Sequence, residues 1–140
     1  MRISLIPILT ILFLVASCNA SEKQAETPSP AEMVAGKWWM NTVLDSGNDV
    51  TKEEPFNPEG NRWIEFKADG SYNSDGDPYG PNTGNWKLMG SGDSLEIFLD
   101  SDAGEGDDSY WLLSFEEEQM RWKGSRSSFT ERFEIIYRPD

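Results

Sequence analysis

Two kinds of residue in this chain could do chemistry: one thiol and a large stock of carboxylates. Cys18 is the only cysteine among 140 residues, and there is no histidine. A lone thiol closes no internal disulfide. Without an imidazole, neither it nor a serine has the usual base that makes a nucleophile. A Gly-rich phosphate loop and a G-x-S-x-G elbow are also missing. The carboxylates gather as Asp69, Asp75 and Asp77, and as Asp102, Glu105, Asp107 and Asp108. Paired carboxylates can hydrolyse glycosides, but these lie among turn signals where Asp and Gly serve backbone geometry. "NSDGDPYG" at 73–80 and "DSDAGEGDD" at 100–108 offer oxygen atoms for calcium, yet neither has the ligand order of an EF-hand loop. The residues thus predict no catalytic group, no cofactor, no metal and no enzyme.

What surrounds Cys18 gives the thiol a different task. Residues 3–15, "ISLIPILTILFLV", are uncharged and follow Met-Arg, and Pro7 interrupts them. The run is shorter than the about 20 residues a spanning helix needs, and it reads as a secretory signal. Leu14, Val15, Ala16 and Ser17 lead directly into Cys18. This resembles the bacterial lipobox, whose cysteine receives a diacylglyceryl group, becomes the first residue after cleavage and is usually acylated again, commonly with palmitate. The resemblance implies a lipidated Cys18, with membrane anchorage as its consequence. Each buried methylene contributes about 0.8 kcal/mol, so two or three chains hold a protein at a bilayer where one does so only marginally. Asn19 stands where an Asp retains many such proteins in the inner membrane, so the resemblance favours the outer membrane.

The polar stretch from Asn19 to Ser29 has no apolar period and reads as a flexible tether. The division is therefore 1–17 lipoprotein signal peptide, 18–30 lipidated Cys and tether, and 31–140 folded domain. The formal charge is −13, or −14 once the first seventeen residues and their Arg2 are removed. Such a surface lacks the Lys and Arg that drive phosphate binding, which excludes nucleic acid as a partner.

In the folded domain, "SPAE" at 29–32 predicts a short capped helical turn. Strands follow at about 37–44, 62–68, 71–75, 84–89, 94–100, 109–115, 118–124 and 130–138. "SLEIFLD" puts Leu95, Ile97 and Leu99 on one face, and "RFEIIYR" does the same for Phe133, Ile135 and Tyr137. Hairpin-like separators stand at 68–70, 90–93 and 116–117, with longer connections at 46–61 and 101–108. Eight short consecutive strands predict an all-β fold, an antiparallel up-and-down barrel whose closure removes its edges. A β-sandwich is the alternative.

"GKW" at 36–38, at the start of the first strand, resembles the lipocalin and wider calycin family, whose first strand opens with Gly-x-Trp. "WIEFKADGSY" and "GNWKLMGSGDSLEI" further resemble compact lipocalin-like lipoproteins of Bacteroidetes, over about residues 31–138. The resemblance implies Trp38 inside the closed end of the barrel with Arg138 covering it. It also implies an interior that receives a small apolar ligand. This chain has neither the longer barrel nor the late helix usual in secreted lipocalins.

Alternation gives the candidate interior: Trp38, Met40, Ile64, Phe66, Trp86, Leu88, Ile97, Trp111, Leu113, Trp122, Phe133 and Ile135, with Thr42 and Leu44 continuing the first strand's inward face. An eight-stranded barrel can be filled by side chains or hold one small ligand. Two functions stay open: a membrane-anchored module binding a small apolar molecule, or a packed accessory lipoprotein contacting another envelope component through residues such as Trp39 and Tyr79. Phe56, between Pro55 and Pro58, is a candidate cover for the barrel mouth.

Overall fold

The computed structural model describes residues 27–77, 80–102 and 108–140. Cys18, the signal segment, most of the tether, Tyr79, Glu105 and Asp107 lie outside them. Helix α1 (Pro30–Val34) begins as the SPAE pattern predicts. The Glu32 carboxylate accepts the Ser29 backbone N–H at 2.8 Å, and the Ser29 hydroxyl accepts the Glu32 N–H at 3.4 Å. Two donors that the helix leaves unpaired are thereby satisfied.

Nine strands follow: β1 (Gly36–Asp45), β2 (Asn48–Asp49), β3 (Trp63–Phe66), β4 (Ser71–Asp77), β5 (Gly80–Met89), β6 (Glu96–Ser101), β7 (Ser109–Glu116), β8 (Gln119–Gly124) and β9 (Phe133–Pro139). They form one antiparallel sheet in the order β2-β1-β3-β4-β5-β6-β7-β8-β9, and β1 also pairs with β9. Eight strands thus close into the predicted barrel, with β2 as an addition, and the sandwich is set aside. Asn73 to Asp77 belong to β4 and Gly80 to β5, so Asp75 stands in a strand opposite Trp63 and Pro81 and not in a turn.

The closing pair β1–β9 contains an irregularity that changes which residues face inward. Met40 stands opposite Tyr137, but Thr42 stands opposite Ile136, so Asn41 is an extra residue in β1. Beyond it the inward parity switches, burying Val43 at 1% exposure and turning Thr42 and Leu44 away from the interior. That corrects the simple alternation expected along this strand.

The upper half of β1 outruns β3, which pairs only with residues 36–39. The connection 46–62 covers the exposed edge. Ser46 and Gly47 both adopt positive φ (51° and 86°), the backbone of a tight two-residue turn that folds β2 back on Leu44 and Asp45. Val50 N–H then donates to Val43 O at 2.9 Å, and Thr51 Oγ1 accepts the Val43 N–H at 2.8 Å. Asn57, only 1% exposed, completes the seal. Its Nδ2 donates to Met40 O at 2.9 Å, its Oδ1 accepts the Arg62 N–H at 3.2 Å, and its own N–H donates to Thr51 O at 2.9 Å.

An aspartate at position 57 would aim a carboxylate oxygen at the Met40 carbonyl, and an alanine would leave both backbone groups unpaired. Asn57→Asp and Asn57→Ala are each expected to cost about 2–4 kcal/mol, read as a lowered urea midpoint with unchanged slope. A loss below about 0.5 kcal/mol, the range of ordinary surface substitutions, would show that the loop does not brace the strand.

Candidate functional site

The barrel's two ends differ in construction. At the end where β1 begins, α1 places Val34 (0% exposed) in the core, and Trp38 Nε1–H donates to Val34 O at 2.7 Å. That end is plugged. At the other end stand the β1–β3 connection, the segment between β8 and β9, and the loop after β6.

Between the ends the interior is full. Trp38, Ile64, Phe66, Ile97, Leu113 and Trp122 are buried, and Met40, Trp86, Leu88, Trp111 and Ile135 pack against them. Val34, Tyr72, Leu95, Leu99, Met120 and Tyr137 complete this core. Rings meet across it: Phe66 lies 5.4 Å from Trp86 and 5.9 Å from Trp122 between centroids. Trp122 lies in turn 5.8 Å from Trp111 and 4.9 Å from Tyr137. These separations suit edge and offset contacts. Gly84 lets the packing close: a Cβ there would stand 2.8 Å from the Tyr72 ring and 2.1 Å from Asp100 O.

Among the described residues, a void of about 20 Å3 lies against Arg62, Ser74, Trp111 and Trp122. That is room for a water-sized guest, far below the about 300 Å3 of a small-molecule pocket. The inward residues are packed together as core in this arrangement. Phe133 departs from the set. As the first residue of β9 it stands at the rim, 5.6 Å from Phe56 and 5.5 Å from Phe129, and it is absent from the core. Phe56 thus packs against the rim beside the mouth. Phe129, 65% exposed, is the one exposed large apolar side chain among the described residues.

The Trp38–Arg138 pair is not formed. Arg138 stands directly opposite Trp39, and antiparallel partners share a face, so the exposed Arg138 side chain lies outside while Trp38 points in. Outer-face indoles have other cations. Lys37 Nζ lies 4.6 Å from the Trp39 centroid and 4.4 Å from that of Trp63, and Trp39 Nε1–H donates to Asp140 Oδ1 at 2.7 Å. On β6 and β7, Lys87 lies over Phe98 at 4.9 Å and Arg126 over Tyr110 at 4.4 Å.

Adjoining the void is an open cleft of about 470 Å3, which shares Trp63 and Ser74 with it and adds Asn73, Asp75, Asn82, Thr83 and Asp102. Asn82 Nδ2 donates to Ser101 Oγ at 2.8 Å, and Thr83 Oγ1 donates to Asp102 Oδ2 at 2.9 Å. Polar residues thus gather at the mouth end, a pattern that apolar alternation could not reveal. Among the described residues no three His, Cys, Asp or Glu side chains form a metal-binding group.

The fold and interior define a small, closed antiparallel barrel with a packed core. No protein-family model matches the chain, and no curated protein does. Among solved structures, it is similar to a DUF4847 family protein from Bacteroides vulgatus ATCC 8482, with a TM-score of 0.53 and 12% identity over 77% of this chain and 94% of that one. At that identity the likeness establishes the barrel fold alone.

Ion pairs clasp the outer face. Arg132 bonds Asp45 and Arg126 bonds Glu96, and these bonds hold both carboxyls below their ordinary range, helped by Ser46 and Ser125 respectively. A carboxyl depressed on folding contributes stability above its unfolded value, and that contribution is lost as pH falls through the depressed value. Stability should therefore decline below about pH 4. Denaturation of an Arg126→Gln, Arg132→Gln variant should show a flatter acid limb, whereas an unaltered slope would assign it to other carboxyls.

Proposed function

We propose that this protein is an exported lipoprotein, anchored to a membrane through an acylated Cys18, whose packed lipocalin-like barrel presents its mouth-end rim to another macromolecule of the cell envelope. It works without catalysis. The observation that carries this reading is the filled interior: the aromatic core leaves about 20 Å3, so an apolar guest has no chamber to enter. The alternative of an enclosed small apolar ligand would require Trp111, Trp122 and Tyr137 to leave their packed positions.

Geometry supports the rim as the working surface. The tether joins α1 at the plugged end, so the opposite end is the one free to face away from the anchoring bilayer. That end carries Phe129 exposed on Phe133, which Phe56 also contacts. Arg132 lies 5.1 Å over Phe133 and pairs with Asp45. An exposed aromatic beside a guanidinium is the composition of residues that dominate protein contacts.

A photo-crosslinking residue at position 129 should capture a discrete partner in intact envelopes, while the same residue at exposed Ser114 should not. Equal capture at both positions, or an apolar molecule retained by the full-length protein in native mass spectrometry, would overturn the reading. Independently, Cys18→Ser should abolish metabolic labelling with palmitate and leave the signal segment uncleaved; normal labelling would remove the anchor from the proposal.

A further inference from the structure

Two buried polar atoms at the mouth end have no partner among the described residues, and both belong to residues lining the same void. They are Ser74 Oγ on β4 and Trp122 Nε1 on β8, in residues 5% and 2% exposed. The other indoles whose bonding is resolved make the contrast. Trp38 donates to Val34 O at 2.7 Å, Trp39 to Asp140 at 2.7 Å, Trp86 to Lys67 O at 3.0 Å and Trp111 to Ser109 Oγ at 2.9 Å. A buried indole N–H normally finds an acceptor. Here the fold tolerates an unsatisfied donor and an unsatisfied hydroxyl in two residues that line one void, next to the polar cleft.

We propose that this place is a binding site for a neutral hydroxylated molecule, a sugar in chemical class, that inserts one hydroxyl into the void. The size of the void admits one oxygen atom with its hydrogen and little more. Trp122 Nε1–H can only donate, whereas Ser74 Oγ can donate or accept. A hydroxyl satisfies both, accepting from the indole and donating to the serine. The rest of the molecule lies in the adjoining cleft of about 470 Å3, where Asn82, Thr83, Asp75 and Asp102 supply donors and acceptors. Charge selects against an anion. Two carboxylates line the cleft, and the chain carries a formal −13, so a carboxylate or phosphate would approach an unfavourable field. A purely apolar molecule would leave both buried polar atoms unpaired, at about 1–3 kcal/mol each.

This site goes beyond the envelope-partner reading and does not depend on it, since crosslinking at position 129 tests that reading separately. The experiment is a titration of the 15N-labelled full-length chain in detergent micelles with D-glucose and N-acetylglucosamine, using acetate as the anionic control. The six indole N–H signals are assigned by Trp→Phe variants. The Trp122 signal should move saturably with at least one sugar, those of Trp38, Trp39 and Trp86 should stay, and acetate should move none. Ser74→Ala should weaken the response about tenfold, the loss of one hydrogen bond worth about 1.4 kcal/mol. Unmoved Trp38 and Trp86 signals in that variant would show the barrel intact. Three outcomes overturn the proposal: no movement of Trp122 up to the solubility limit, equal movement with acetate, or a long-lived water contact at Trp122 that persists unchanged through the titration.

Discussion

Trp122 is the side chain on which the barrel's character depends. Eight antiparallel strands fix an interior only about as wide as the side chains that fill it. A single indole from β8 meets rings from β3, β7 and β9. Its presence converts a scaffold that could enclose a guest into a solid one. Because interiors pack near crystal density, the neighbouring residues must adapt to it. Gly84 gives up its side chain beside Tyr72, and Trp111 turns its N–H to Ser109. What is left without a partner is the polar end of the indole, in a residue that lines the small void.

A second constraint comes from closure. The β1–β9 seam must join the first and last strands, and the extra residue at Asn41 lets β1 bend there and re-aim its upper half. Val43 becomes interior by that shift, and the strand edge beyond β3 is then sealed by Thr51 and Asn57. The long connection therefore works as a substitute strand made from side chains. This explains why a polar segment contains two of the buried polar residues of the domain, Thr51 and Asn57.

Much of the fold was legible because strand alternation is a local property. Ile64 and Phe66, Ile97 and Leu99, or Leu113 and Phe115 announce an inward face whatever their partners are. The capping box at Ser29 is equally local. The misses share a cause: each depends on a partner strand. The bulge at Asn41 has no signature within β1 alone. Arg138 falls outside because of its register against Trp39, which chain-end position cannot supply. Tyr72 and Ser74 alternate correctly, but "SYNS" is too polar to advertise an inward face. β4 and β5 extend into the Asp/Gly segment because they pair with each other there, Asp75 with Pro81 and Asp77 with Gly80, which outweighs weak local propensity. The proposed acylation of Cys18 rests on residues outside the described structure, and the fold neither adds to it nor takes from it.

The polar end of the barrel follows from the same packing logic. An apolar side chain at position 74 would fill the last opening and relieve the Trp122 N–H of any need for a partner, at the expense only of a buried, unbonded hydroxyl. Such replacement of a buried unpaired polar group by an apolar one is commonly neutral or stabilising. A barrel selected solely for rigidity would gain by it. Retaining Ser74 opposite Ile64 and beside Asn82, at the border between void and cleft, keeps a hydrogen-bonding position where stability alone gives no reason for one. The plugged end, the dense aromatic middle and this polar mouth thus divide the work. The first two hold the shape, and the third keeps the unbonded Ser74 hydroxyl and Trp122 N–H.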